Sequence, residues 1–123
     1  MSGKLSLAHL MALSRPLNEA ELKIIRFLLK APKYQRLLEE ISKAIVWDDA
    51  DGGMGSIQFS SRHPGSRILG ERVASATFKD EDGVLVTIEL NLDQNGDLME
   101  MDFWKVDFSP LKKYPTSDDL IVN

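Results

Sequence analysis

The chain has 123 residues, of which 43% are hydrophobic and 28% are charged, and it contains no cysteine. This length fits a single domain, and the composition is typical of a globular protein rather than of a disordered one. The absence of cysteine excludes disulfides, thiolate nucleophiles and zinc sites built on sulfur, and it favours a cytoplasmic location.

The 15 basic and 19 acidic side chains are unevenly distributed along the chain. Residues 1–43 hold eight Lys and Arg against four Asp and Glu, a balance of +4, while residues 44–123 hold seven against fifteen, a balance of −8. The acidic later part argues against nucleic-acid binding and favours a basic partner. No apolar run approaches the roughly 20 residues that cross a bilayer, so we expect no membrane partner.

Two helices are predicted before residue 44, after an N-terminal extension at residues 1–14. Asn18 is a favourable N-cap for the first helix, and its apolar residues recur at three- and four-residue spacing. Pro32 ends this helix, and residues 33–42 carry a second apolar stripe. We expect each helix to bury one face.

From Ala44 onward the apolar period changes to two, which predicts β-strands. Clusters of Asp, Asn and Gly separate the apolar segments and are typical of turns. The predicted strands are residues 44–47, 55–60, 72–79, 84–92 and 97–106. Residues 116–123 are predicted to be a loosely ordered tail, which leaves a single α+β domain at residues 15–115.

The last two strands are predicted to form a hairpin, because Asn95-Gly96 is typical of a two-residue type I′ turn. The apolar pairs that this turn places on one face are Leu92 with Met99, Leu90 with Met101, and Ile88 with Phe103. The residues that it places on the opposite face are Glu89, Asn91, Glu100 and Asp102. The hairpin therefore predicts one buried and one acidic face.

This alternation breaks after Phe103. The outward positions, which Glu100 and Asp102 occupy before it, are now taken by Trp104, Val106 and Phe108. Lys105 takes an inward position. The change predicts a β-bulge near Phe103-Trp104 or a new packing surface.

Several residue clusters could carry chemistry, but their spacing argues against it. The segment 48–53 lacks the ligand spacing of a calcium loop, and the segment 60–63 offers a hydroxyl and an imidazole without an orienting acid. We therefore expect no metal, no cofactor and no catalytic residue.

The predicted hairpin places two carboxylates, Glu89 and Asp102, directly opposite each other. Such a like-charged pair lowers stability by up to about 1 kcal/mol unless an arginine or a basic partner offsets it. The candidate arginines are Arg62, Arg67 and Arg72.

Four segments carry a resemblance to a small family of bacterial proteins of unassigned biochemistry. They are Arg15-Pro-Leu-Asn-Glu-Ala-Glu21, Gly53-Met-Gly-Ser56, Asp80-Glu-Asp-Gly83 and the sequence DFWKVDFSPL at residues 102–111. The resemblance covers residues 15–115. The family is similar to the small acidic immunity proteins of contact-dependent growth inhibition, which bind and neutralise a cognate antibacterial toxin. The resemblance thus implies a toxin domain as the partner.

The predicted fold is α+β, with two N-terminal helices packed on one face of a four- to five-stranded antiparallel sheet. The predicted function is that of a cytoplasmic immunity protein, not an enzyme, whose acidic face blocks the basic active site of a toxin such as a nuclease. The predicted contact residues are Glu89, Asn91, Glu100, Asp102 and Trp104. One alternative is a small ligand-binding or enzymatic domain with Asp102, Glu89 and Arg72 in a pocket, and another is a homodimer subunit.

Overall fold

The computed structural model describes residues 13–123, so residues 1–12 of the predicted extension lie outside the described part of the chain. Helices α1 (Glu19–Leu28) and α2 (Gln35–Glu40) lie in the first half. Short 3₁₀ turns occur at Pro32–Tyr34, Ile41–Lys43 and Ser117–Asp119. The strands are β1 (Arg15–Pro16), β2 (Ile45–Asp48), β3 (Ile57–Phe59), β4 (Leu69–Lys79), β5 (Leu85–Asp93), β6 (Leu98–Lys105) and β7 (Ile121–Val122).

All seven strands belong to one antiparallel sheet, with the order β1-β2-β3-β6-β5-β4-β7. The prediction of two helices on a four- to five-stranded sheet is therefore wrong. Each of the missed edge strands is only two residues long, too short to show a period of two.

The C-terminal segment at 116–123 joins the edge of the sheet. Ile121 pairs with Thr77, and the Asn123 N–H donates to the Ser75 carbonyl at 2.9 Å.

The helices cover one face of the sheet, which we call the covered face. Helix α1 begins at the predicted cap: Asn18 accepts from the Glu21 N–H, and the Glu21 carboxylate accepts in return from the Asn18 N–H. Ile24, Ile25 and the other apolar residues of the helices pack against strand residues such as Ile88 in one core. No helix among residues 13–123 is long and apolar enough to span a membrane.

The β5–β6 hairpin keeps the predicted register over most of its length. Glu89 lies opposite Asp102, Leu90 opposite Met101 and Ile88 opposite Phe103. The loop itself differs from the prediction. It has three residues, because the Asp93 N–H donates to the Asp97 carbonyl at 2.8 Å and Leu92 pairs with Leu98 rather than Met99. A register shift at Met99 then restores the predicted pairing, as a β-bulge does.

Strand β6 contains no bulge at Phe103-Trp104, and its register continues without a break to Lys105. Lys105 therefore does point inward, and its side chain is fully buried. Its Nζ donates to Asp80 at 2.8 Å, to Asp82 at 2.6 Å and to the Pro110 carbonyl at 3.1 Å. The lysine that breaks the apolar pattern thus forms a buried ion pair. Its contacts hold the chain after β6 against the β4–β5 turn.

Candidate functional site

The face of the sheet that points away from α1 and α2, here called the outer face, carries the candidate site. Strand pairing arranges its side chains in rows across the strands. One row runs from Gln58 through Glu100 to Asn91, and the next pairs Asp102 with Glu89. A third row, one step nearer the end of β6, runs from Trp104 through Thr87 and Thr77 to Ile121.

The five predicted contact residues share this face, but Asn91 is only 5% exposed, so its side chain is not available as a surface contact. Glu89 is paired with Asp102, Asn91 with Glu100, and Trp104 follows Asp102 on the outward side of β6. Trp104 is 47% exposed, which is high for a large aromatic side chain. Their common location follows from the hairpin register. A binding role for them stays a prediction.

The outer face carries an acidic patch, which we define as Asp49, Glu89, Glu100 and Asp102. Arg72 forms an ion pair with Glu89 at 3.0 Å, so the internal compensation considered for Glu89 comes from this arginine. Arg67 instead pairs with Asp93, and Arg62 with Glu40.

Neutral groups provide the hydrogen bonds of the other three carboxylates. Gln58 Nε2 donates to Asp49 at 2.9 Å and to Glu100 at 3.2 Å, and Asn91 Nδ2 donates to Glu100 at 3.1 Å. Ser56 Oγ donates to Asp102 at 3.2 Å. These contacts orient the carboxylates without neutralising them, and the patch keeps an excess of negative charge.

Asp102 is the carboxyl group most affected by this arrangement. Partial burial raises the pKa of Asp102 above its ordinary value, and the charges of Glu100, Glu89 and Asp49 raise it further. The Ser56 hydrogen bond opposes this rise. A carboxylate that is harder to ionise, in a group of like charges, benefits from any cation that approaches the outer face.

Sequence reasoning missed the part of the patch that lies on the other side of β6. Asp49, Ser56 and Gln58 reach the hairpin only because β3 pairs with β6, with Gln58 opposite Glu100. These partners are more than 40 residues apart in sequence, and no local pattern marks them.

A second feature, which the sequence indicated only in part, is an apolar strip that we define as Leu85, Trp104, Val106 and Phe108. The Val106 N–H donates to the Leu85 carbonyl at 3.0 Å, and the Trp104 and Phe108 rings lie 6.2 Å apart. The change of pattern after Phe103 contained Trp104, Val106 and Phe108 but not Leu85. The unbroken register of β6 places Trp104 on the outer face, and Val106 and Phe108 follow in the turn after the strand.

Two acidic turns, one of them in the segment considered for calcium, have structural roles in this fold. Asp51 accepts backbone N–H groups from Gly53, Met54 and Ser56, which closes the loop between β2 and β3. Asp93 likewise accepts from two N–H groups of its own turn and from Arg67. Backbone N–H groups and Arg67 therefore occupy the carboxylate oxygens of Asp51 and Asp93.

A cleft of about 490 Å³ lies away from the acidic patch. Leu37, Ile41 and Phe59 contribute apolar surface to it, and the ion-paired Glu40 and Arg62 line it as well. The alternative site of Asp102, Glu89 and Arg72 is not part of this cleft. Those three side chains lie close together on the open outer face.

Comparison with known proteins identifies the family without assigning a function. None of the curated proteins and none of the solved structures matches the chain. A family model matches residues 14–115, and its description is that of a domain of unknown function. This match agrees with the extent of the resemblance found in the sequence, but it provides no link to immunity proteins. The chain belongs to the family described as a domain of unknown function, DUF6984.

Proposed function

We propose that this protein is a binding protein that recognises a basic protein surface with its outer face. The observation that carries the proposal is the acidic patch, with four carboxylates and one paired arginine beside the exposed Trp104. A cationic partner would reduce the repulsion among these carboxylates and speed association by electrostatic attraction. An exposed aromatic residue next to such charges is the residue type that most often dominates binding energy.

The same charges argue against other classes of partner. Nucleic acids present phosphates, and the cytoplasmic surfaces of membranes carry anionic lipids. Both would meet the like charges of Asp49, Glu89, Glu100 and Asp102. A protein that presents lysine and arginine side chains is the partner class that these carboxylates favour.

Within this class, the partner that we propose is a secreted antibacterial toxin domain, which the protein neutralises by covering its basic active-site surface. Toxins that cleave nucleic acids need positive charge in their active sites, and an acidic face complements it. The role requires no chemistry from this chain, and it places the protein in the cytoplasm of the cell that it protects. The resemblance to immunity proteins of contact-dependent growth inhibition supports this partner.

The test begins with affinity capture of partners from the native host at stepwise increasing salt, followed by calorimetric titration of any captured basic domain. We expect reversal of Glu89, Glu100 and Asp102 to lysine to weaken binding by at least about tenfold and to reduce its salt dependence. The matched control reverses Glu39, Glu81 and Asp118, which are exposed outside the acidic patch. Equal affinity and equal toxin neutralisation by the two triple variants would refute the proposal.

A small ligand-binding or enzymatic domain remains the second candidate. The raised pKa of Asp102 beside the Glu89–Arg72 ion pair is the observation that favours it. An open sheet face, however, does not exclude water as a catalytic or ligand-binding pocket does. This candidate predicts that a small molecule stabilises the wild type in a thermal-shift metabolite screen and does not stabilise Asp102→Asn.

A further inference from the structure

We infer that the partner buries a large apolar side chain on the apolar strip of Leu85, Trp104, Val106 and Phe108, immediately beside the basic group that meets the acidic patch. This inference deepens the proposed function and rests on it, because it specifies the chemistry of the partner. The partner must present lysine or arginine and a large apolar residue next to each other.

The strip is continuous and accessible. Its four side chains are 41% to 68% exposed, and they lie on neighbouring positions of β5, β6 and the turn that follows. Single exposed apolar residues are normal on protein surfaces, but a contiguous group that includes two aromatic rings marks an interaction site. No segment among residues 13–123 shields these side chains enough to bury them.

Phe108 provides a second and independent observation. Its backbone has φ of 62°, the left-handed region that bulky residues rarely adopt, while its side chain is 68% exposed. The fold holds this conformation with a turn, in which the Phe108 N–H donates to the Lys105 carbonyl at 2.9 Å. Strain at a residue whose ring gains little burial indicates a function for that ring.

The support beneath the strip is rigid. Lys105 lies between Trp104 and Val106 in sequence, and its buried Nζ is fixed by Asp80, Asp82 and the Pro110 carbonyl. The turn after it is held by Asp107, whose carboxylate accepts from the N–H and hydroxyl of Ser109. Because these hydrogen bonds already order the backbone that carries the two rings, binding needs to order little more of it, which favours affinity.

The distance between the two parts of the site sets the spacing in the partner. Trp104 and Asp102 are separated by two positions on one strand, or about 7 Å. The basic and apolar groups of the partner must therefore be adjacent on its surface.

A second copy of this chain is disfavoured as the partner, because face-to-face contact would bury two acidic patches without a compensating cation.

The test uses three fluorescein-labelled peptides on one alanine-rich helical scaffold, titrated against the full chain by fluorescence anisotropy. The first peptide carries a lysine cluster followed by adjacent tryptophan and leucine. The second keeps the lysines and replaces the apolar pair with alanine. The third keeps the apolar pair and replaces the lysines with glutamine. We expect the first peptide to bind at least about tenfold more tightly than either of the others.

Two variants of the strip, Trp104→Ser and Phe108→Asn, complete the design. Asparagine tolerates positive φ, so Phe108→Asn removes the ring without adding strain. Both variants should lower the affinity for the first peptide to that for the second, while Ile68→Ser, which alters an exposed residue outside the strip, should not. Thermal melting of each variant confirms that it is folded.

The outcomes separate this inference from the proposed function. Equal, salt-sensitive binding of the first two peptides would overturn the inference and leave the proposed function standing. Equal binding of the first and third peptides, or binding of none, would overturn both. A wild-type dimer in light scattering that Phe108→Asn dissociates would assign the strip to a second copy and overturn the inference.

Discussion

Asp102→Asn should stabilise the free protein at neutral pH. The substitution removes a negative charge that lies directly opposite Glu89 and near Glu100, while its amide oxygen can still accept from Ser56. A like-charged cross-strand pair costs up to about 1 kcal/mol, and the half-exposed position of Asp102 reduces this to about 0.5 kcal/mol. For a domain of this size the change corresponds to a thermal midpoint about 2–3 °C higher.

The gain should depend on pH in a defined direction. Because the pKa of Asp102 is raised in the folded protein, the folded state holds this proton more tightly than the unfolded chain does. Ionisation of Asp102 therefore lowers stability above its pKa, and the loss disappears near pH 3, below the ordinary pKa of about 3.9. The wild type and Asp102→Asn should then melt at nearly the same temperature.

Calorimetric or circular-dichroism melting at pH 7 and pH 3 measures both effects. The control is Asp107→Asn, since hydrogen bonds from Ser109 lower the pKa of Asp107 and its ionised form stabilises the fold. This control should lower the midpoint at pH 7. If Asp102→Asn also melts lower at pH 7, or if its gain persists at pH 3, the carboxylates are not mutually unfavourable. A cationic partner would then gain nothing from reducing repulsion within the acidic patch.

Further predictions concern the packing beneath the outer face. Ser56→Ala should lower the free energy of unfolding by about 1–3 kcal/mol in urea titrations. The reason is that the buried Phe103 N–H loses its acceptor, Ser56 Oγ, which lies at 2.8 Å. A change below about 0.5 kcal/mol would contradict this. Lys105→Met should lower the thermal midpoint more than Ser56→Ala does, because it leaves Asp80 ionised and buried, and adding Asp80→Asn should recover part of the loss. Unchanged melting of Lys105→Met would show that the ion pair is dispensable. Burial disfavours the ionised form of Asp80, but hydrogen bonds from Lys105 and backbone N–H groups outweigh it and lower the pKa of Asp80 to about 2. This contribution to stability is present above about pH 4 and should be lost as the pH falls towards 2, as acid titration of the wild type and Asp80→Asn can measure.

The candidate site could be predicted in part because the hairpin is local. Alternating apolar and acidic residues between positions 84 and 106 determined which side chains share a face, since side chains on a strand alternate with a period of two. The three-residue loop did not change this result, because the bulge at Met99 compensates for the extra residue. The register at Glu89 and Asp102 therefore agreed with the prediction despite a different turn.

The sequence by itself determined the start of α1, the locations of the five longer strands and the face to which Glu89, Glu100, Asp102 and Trp104 belong. Each of these features depends on residues close together in the chain. The tertiary structure alone decided the seven-strand sheet, in which the pairing of β3 with β6 adds Asp49 and Gln58 to the outer face. It also decided the burial of Lys105, which depends on carboxylates 23 and 25 residues away. A lysine at an inward position disrupts a sequence pattern, and only a folded chain can bring Asp80 and Asp82 close enough to compensate its charge.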